Sequence, residues 1–389
     1  MRRIVFLTLM LLLAVGAYLY MRPVPVAGPL SQIVVRPKTQ ATDLAWPSPG
    51  QAAIGASGYG LLAAHDTDSP VPIASVAKVI TALAVLQKSP ISPDAKTPLL
   101  TIYQTDVDSY HYYLSQNGSV APVSLGENLS EYQALQALLI PSANNVADSL
   151  TRWLFGSDSN YVAYANQMLK GMGLTKTTVG DASGFADNTT STADELVKLG
   201  LKAMQNPVIA KIVSQPVATI PVAGDIKNVN WLLGDSGIVG IKTGNTDKAG
   251  GCYLFAAKRQ VQNQTVTVVG AILGVGELND AISDAKPLLE SANHGFGLVT
   301  PVHKGQVLGN YRTAWGSSAQ AKASKDLSLL VWKGKDIKIL NEPDTLTAPV
   351  KSGSIVGKVS AVSSGVSTKT NLVLDGGLSG PSLFWRIFH

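Results

Sequence analysis

The sequence predicts an α/β chain of the α+β kind: an antiparallel sheet with a helical subdomain, followed by a small all-β domain. Three observations carry this. Ile238 to Thr243, Cys252 to Ala257 and Thr265 to Leu273 are strand-like runs with polar or glycine-rich connections, and consecutive antiparallel pairing is their simplest arrangement. Between residues 73 and 205 apolar side chains recur at helical spacing in several separate stretches. After Gly297 the texture changes to short alternating runs separated by Gly, Ser, Pro and Asn, which reads as all-β.

At 389 residues the chain is too long for one ordinary core, and 46% hydrophobic against 15% charged residues describes a packed globular protein. The net charge of +5 is modest. It suits an anionic surface such as phospholipid or cell-wall polymer, and without a Lys/Arg run or an aromatic-basic array no nucleic acid partner is expected. The single cysteine, Cys252, excludes an internal disulfide and a thiolate metal cluster, and its apolar neighbours read as core. The five histidines make no H-x-x-x-H spacing, so no metal and no cofactor are expected.

Taken in order, Arg2 and Arg3 precede an uncharged run from Ile4 to Tyr20, 17 residues long. As a helix this is roughly 25 Å, nearly enough to cross a bilayer. Leading positive charge places the N-terminus inside and the working part on the extracytoplasmic face of a membrane; a cleaved signal peptide competes with an uncleaved anchor for residues 1–22. Residues 23–49, with prolines at 23, 25, 29, 37, 47 and 49, read as a linker. Residues 50–297 are expected as the main domain and 298–389 as the β-rich domain.

Gln51 to Ser57 and Leu61 to His65 form an expected hairpin across Gly58-Tyr59-Gly60, a glycine pattern that is followed by strand signals and so is no dinucleotide loop. Ile73 to Gln87 reads as a buried helix, Thr97 to Tyr113 as extended structure, and Ser130-x-x-Gln133 as a capping box opening a helix through Ile140. Pro141 stops that helix and leaves Ser142-Ala143-Asn144-Asn145 at a junction before the next, Val146 to Phe155. Gly171 to Ala186 is a compact loop region, and Thr192-x-x-Glu195 caps a helix to Gln205. Asn279 to Asn293 is a closing helix. The β-rich runs are Gln306 to Tyr311, Leu327 to Trp332, Ile337 to Leu340, Ile355 to Val362 and Lys369 to Leu374. The tail from Ser382 to His389 is short for an interfacial helix and reads equally as a last strand with a loose end.

Ser75 and Lys78 stand three apart, on one helical face and in its first turn. A serine hydroxyl needs a base, and a lysine in a water-poor pocket loses part of its preference for the charged form and can act as one. Any amphipathic helix carries such a pair by accident at times; this pair gains meaning from two short motifs further along the chain. Ser142 and Asn144 sit at a junction where short polar side chains can enter a cleft. Lys242-Thr243-Gly244, a cation and a hydroxyl at a strand end before a glycine, suits capture of a peptide carboxylate.

Ser75-Val-Ala-Lys78, Ser142-Ala-Asn144 and Lys242-Thr243-Gly244 occur in the order found in penicillin-recognising serine enzymes. With the flanks V-P-I-A-S-V-A-K-V-I-T-A-L, I-P-S-A-N-N-V-A, D-A-S-G-F, S-T-A-D-E-L and G-I-K-T-G-N-T-D-K-A-G-G-C, the chain closely resembles the low-molecular-mass D-alanyl-D-alanine carboxypeptidases over residues 46–297. The β-rich tail resembles that family's C-terminal domain more weakly. The resemblance implies a transpeptidase/β-lactamase-like fold and a Ser75 attack on the bond between the two terminal D-alanines of a peptidoglycan stem peptide, with Lys78 as base. It implies Ser142 relaying a proton to the leaving amine, Asn144 holding the substrate amide, Lys242 and Thr243 gripping the carboxylate, and the Ser75 and Asn245 N–H groups forming the oxyanion hole, with β-lactam antibiotics as covalent inhibitors. Two departures stand out: Ile-Val-Gly precedes Ile241 where an acidic residue before the glycine is usual, and the membrane attachment is expected at the N-terminus instead of through a long C-terminal amphipathic helix.

A class A-like β-lactamase shares the three motifs, but no E-x-x-L-N stretch lies between Asn145 and Gly240 to carry a deacylating glutamate. A catalytically silent wall-binding or penicillin-sensing module is the alternative of a different class; the presence of every expected side chain argues against it.

Overall fold

The protein is described from a computed structural model covering residues 2–389 except 23, 27, 30, 31, 37–39, 94, 95 and 263. It divides into two units, Thr42–Gly295 and the combination of Met1–Ala41 with Phe296–His389.

The first unit is built on a five-stranded sheet ordered Ile238–Thr246, Gly250–Val261, Gln264–Val275, Gln51–Ala56, Gly60–His65, every neighbouring pair antiparallel. The three consecutive strands and the hairpin lie where the sequence places them. The hairpin turns on Gly58 and Gly60 at φ 83° and 71°. Helices Ala193–Met204 and Leu278–Asn293 pack on this sheet, each burying residues at three- and four-residue spacing. The helical subdomain gathers Lys78–Lys88, Gln104–Ser115, Glu131–Leu139, Asn144–Phe155, Asp158–Gly171 and Pro207–Val213. Ser130 caps Glu131–Leu139 through a reciprocal box with Gln133, as its spacing predicts.

Three expectations are corrected. Residues 97–113 are not extended throughout: only Leu99–Thr101 is strand, and Gln104–Ser115 is helix. The buried face of that helix carries Asp106 and Tyr113, seven apart, so no apolar period marks it. Asp106, 2% exposed, accepts from Tyr103 N at 2.8 Å, Ser149 Oγ at 2.7 Å and Arg152 Nε at 3.0 Å, a charge made tolerable inside by its partners. Thr192 and Glu195 open a helix but form no capping box. Glu195 instead receives Lys176 N at 3.0 Å and Thr177 Oγ1 at 2.6 Å, while Thr192 Oγ1 donates to Asp194 at 2.6 Å. The tail is a helix, Leu383–Phe388, with Ser382 Oγ accepting from Trp385 N at 3.2 Å. Helices Asp158–Gly171 and Pro207–Val213 fall where the sequence offered no expectation.

Among its described residues the second unit is all-β apart from helices Arg2–Met21 and Leu383–Phe388. A six-stranded antiparallel sheet runs Val307–Arg312, Ser318–Ala323, Val366–Asp375, Ile355–Ser363, Ile337–Pro343, Gln32–Arg36, and Phe296–Val302 pairs with Leu327–Trp332. Part of the proline-rich stretch therefore does more than connect: Gln32–Arg36 pairs with residues 337–341, because a β-branched run between prolines can complete an open sheet edge. Tyr311, fully buried, ties this core together through its hydroxyl, which donates to Asp344 O at 2.7 Å and Val356 O at 3.0 Å. Helix Arg2–Met21 contains an exposed apolar window, Ile4–Met21, of mean hydropathy 2.3, long enough to cross a membrane.

Candidate active site

The approach to Ser75 is fixed from both sides. Val71–Pro72 pairs with Thr190–Ser191, and Ile73 N donates to Thr189 O at 3.1 Å. Ala74–Ala77 is then a 3-10 turn feeding helix Lys78–Lys88. Gly184, at φ 75°, packs its backbone directly under this turn; a Cβ there would lie 1.9 Å from Ala74 O, so only glycine fits.

Lys78 is fully buried and its ammonium position is surrounded by oxygen. Nζ lies 2.8 Å from Ser75 Oγ, 2.6 Å from Asn144 Oδ1 and 2.8 Å from Ser183 O. Burial lowers its pKa to about 7, against the opposing pull of Asp181 and Asp148. The amine is therefore available as a proton acceptor at neutral pH, at hydrogen-bond distance from the hydroxyl it would deprotonate.

Asn144 opens helix Asn144–Phe155, and its backbone N donates to Ser119 O at 2.8 Å. The side-chain amide of Asn145, the next residue, clamps the Ala121 backbone, Oδ1 accepting from Ala121 N at 3.0 Å and Nδ2 donating to Ala121 O at 2.9 Å, which holds the 116–121 segment against the helix. Ser142 sits at the junction before that helix with φ 69°, a region costly for a serine, and is 4% exposed. Its Oγ is buried with no hydrogen-bond partner among the described residues.

Lys242, Thr243 and Gly244 lie on strand Ile238–Thr246, beside the Ser75 turn. A Cβ on Gly244 would meet Ser75 N at 3.0 Å and Ile73 O at 3.1 Å, so the missing side chain is what lets strand and turn approach. Lys242 is 1% exposed, and Nζ donates to Thr243 O at 2.9 Å. Burial, then the neighbouring Lys78, hold its pKa well below the usual lysine value. A carboxylate arriving there offsets both effects and favours the charged form. Asn245 is exposed and shares with Ser75, Asn144, Gly184 and Phe185 the wall of a cleft of about 640 Å³.

The eight residues singled out from the sequence thus lie on three segments, each of which contributes one residue, Ser75, Asn144 or Asn245, to the wall of this cleft, while Lys78, Ser142, Lys242, Thr243 and Gly244 lie off it. Sequence reasoning read residues 171–186 as a compact loop but gave it no part in the site. Asp181 accepts Ser183 N, Ser183 Oγ, Gly184 N, Phe185 N and Thr189 Oγ1, at 2.6 to 3.2 Å, and so shapes the loop whose Ser183 carbonyl receives Lys78. The D-A-S-G string was the only signal of it, and a short polar string looks like any turn. A larger hollow, about 790 Å³, is lined by Leu83, Leu86, Tyr164 and Met168 on another part of the helical subdomain; it holds no paired hydroxyl and buried amine, so chemistry outweighs size in locating the site.

A family model described as D-alanyl-D-alanine carboxypeptidase matches residues 53–272. The chain is 28% identical over 242 residues to the D-alanyl-D-alanine carboxypeptidase of Streptomyces sp. (strain K15), covering 58% of this chain and 78% of the relative. It is 26% identical over 330 residues to D-alanyl-D-alanine carboxypeptidase DacA of Escherichia coli (strain K12), covering 80% of each. The crystal structure of the Streptomyces K15 DD-transpeptidase is similar with a TM-score of 0.57 and 25% identity, over 65% of this chain and 98% of that one. Penicillin binding protein 5 from Haemophilus influenzae is similar in fold, with a TM-score of 0.60 at 22% identity, over 89% of this chain and 100% of that one.

Proposed function

The chain belongs to the D-alanyl-D-alanine carboxypeptidase family of serine hydrolases, and on that premise we propose that Ser75 is its nucleophile, Lys78 its base, and a peptidoglycan stem pentapeptide its substrate. The observation that carries this reading is the 2.8 Å approach of Lys78 Nζ to Ser75 Oγ in a site where burial brings the amine to a pKa of about 7.

The terminal carboxylate of the substrate docks on Lys242 and Thr243, and Asn144 takes the amide on the other side of the scissile bond. As Ser75 Oγ bonds to the carbonyl carbon, its proton passes to Lys78. The oxyanion points to the N–H groups of Ser75 and Asn245, donors typically worth about 3 kcal/mol each in such sites. Ser142 relays to the departing amine the proton that Lys78 took up, and D-alanine leaves, with Lys78 again neutral to take the proton of the incoming water. Water then attacks the acyl carbonyl, Ser75 recovers its proton, and the shortened stem is released. A penicillin enters by the same route, its ring amide standing for the scissile bond, and stays as a long-lived adduct.

The apolar helix Arg2–Met21 is compatible with either a membrane anchor or a signal peptide. With Arg2 and Arg3 ahead of its apolar window Ile4–Met21, the anchored form places the catalytic unit on the outer face of the membrane, where its polymer substrate lies.

Incubation of the full chain with a synthetic pentapeptide ending in D-Ala-D-Ala tests the reading. One free D-alanine and one tetrapeptide per turnover are expected. Turnover of penicillin at a high catalytic rate with no D-alanine from the peptide would make the protein a β-lactamase instead.

A further inference from the structure

Charge is divided unevenly between the two units. Residues 42–295 carry 15 Lys and Arg against 21 Asp and Glu, whereas residues 1–41 together with 296–389 carry 16 against 5, a net charge of +11. The modest +5 of the whole chain is thus the difference between an acidic catalytic unit and a strongly basic second one. Strand register shows where the excess lies. At one end of the six-stranded sheet are the connections 313–317, 344–354 and 376–382. The apolar helix joins the unit at this end: Pro25–Val26 pairs with Leu346–Thr347, and Arg386 donates to Arg22 O at 2.8 Å. The other end holds the turns 303–306, 324–326, 333–336 and 364–365. Hydrogen bonds tie them down: Lys304 N donates to Asp326 Oδ1 at 2.6 Å, Ser324 N to Asn371 O at 2.9 Å and Ser363 Oγ to Asp336 O at 2.9 Å.

This second end carries Lys304, Lys325, Lys333, Lys335, Lys338 and Lys369 against two acids, Asp326 and Asp336. Lys338 stands opposite Val362 and Lys369 opposite Ser360, which puts both on the face of the sheet turned away from Val359 and Ala361 in the core. All six except the half-buried Lys333 are exposed, and none of their ammonium groups makes a hydrogen bond or ion pair among the described residues. We propose that this end of the second unit is a docking surface for a linear phosphodiester polyanion of the cell wall. Unpaired like charges gathered at one end repel one another, and an anion laid across them relieves that repulsion. The apolar helix joins the opposite end, so in the anchored form proposed above the lysines face away from the bilayer. Their kind matters as well. Lysine is a compact point charge without the fork by which arginine grips a single phosphate, so the surface reads charge density along a repeating polymer. The four turns contain no Phe, Tyr or Trp on which a nucleic acid base could stack.

The test titrates the full chain, held in phosphatidylcholine nanodiscs, with poly(glycerol phosphate). Binding is expected at about 0.05 M salt and should weaken by about tenfold or more at about 0.5 M, because exposed charges are screened. A variant combining Lys325→Glu, Lys335→Glu and Lys369→Glu should bind about tenfold more weakly or worse. Its D-alanine release from a soluble pentapeptide should be unchanged, which shows that it is folded. The same change of charge placed in the first unit, Lys170→Glu with Lys202→Glu and Lys227→Glu, should leave polymer binding as in the parent. Ser75→Ala should also bind as the parent does, so a failure of the peptidase reading leaves this surface standing. Equal binding by the Lys325/Lys335/Lys369 variant and the parent, or binding that salt does not weaken, overturns the proposal. No polymer bound overturns it too, whether the lysines then capture phosphatidylglycerol vesicles or the acidic unit of a second copy.

Discussion

Ser75→Ala is expected to release no D-alanine above background and to take up no penicillin, a loss on the order of 10⁶-fold of the kind seen when a serine protease loses its nucleophile. The size of the loss reflects where the serine stands. Without Oγ no acyl-enzyme forms, and the remaining groups, Lys78, Ser142 and Lys242, have nothing to activate. The protein should nevertheless fold, because Lys78 Nζ keeps its bonds to Asn144 Oδ1 and Ser183 O at 2.6 and 2.8 Å. A half-buried Ser→Ala change of this kind shifts stability by about 1 kcal/mol or less. Binding should survive too, so peptide affinity measured by calorimetry separates lost chemistry from lost structure. Equal D-alanine release by variant and parent would remove Ser75 from the mechanism.

Lys78→Met is expected to lower the rate of penicillin acylation by about 10² to 10⁴, the usual worth of a positioned base. Methionine keeps the length of the side chain and its packing while removing the proton acceptor. The same substitution has a signature in stability. Folding lowers the pKa of Lys78 from 10.5 to about 7, so between those values the unfolded chain binds more protons than the folded one. Parent stability should therefore rise with pH across that window as the cost of burying the amine disappears. Lys242, also lowered by burial, acts in the same direction, so the variant should show a smaller rise and not a flat line. Melting temperatures at pH 7 and 10 report the difference. A variant with undiminished acylation would assign the proton to another group.

How far the sequence carries can be judged from particular segments. The sheet was legible because its strands are apolar runs of the right length separated by turns, and the three-residue spacing of Ser75 and Lys78 was legible because helical geometry leaves little choice about what such residues share. Helix Gln104–Ser115 was hidden for the opposite reason: its buried face is polar, and the partners that make Asp106 acceptable inside, Ser149 and Arg152, are more than 40 residues away. Glu195 misled in the same way, since a cap spacing says nothing about a backbone N–H at Lys176 that tertiary structure brings nearer. In the active site the nucleophile and its neighbours were legible as residue types, but not the Asp181 loop, whose contribution is a backbone carbonyl and a glycine under the Ala74 turn. Backbone groups leave no residue-type signature.

The central claim is that burial leaves Lys78 able to take the Ser75 proton at neutral pH. The most direct measurement is the second-order rate of penicillin acylation of the full chain from pH 5 to 9, followed by the mass of the adduct. The account predicts a single rise with a midpoint near the pKa of about 7. An acylation rate that is flat over this range, or that falls as pH rises through 7, would contradict it.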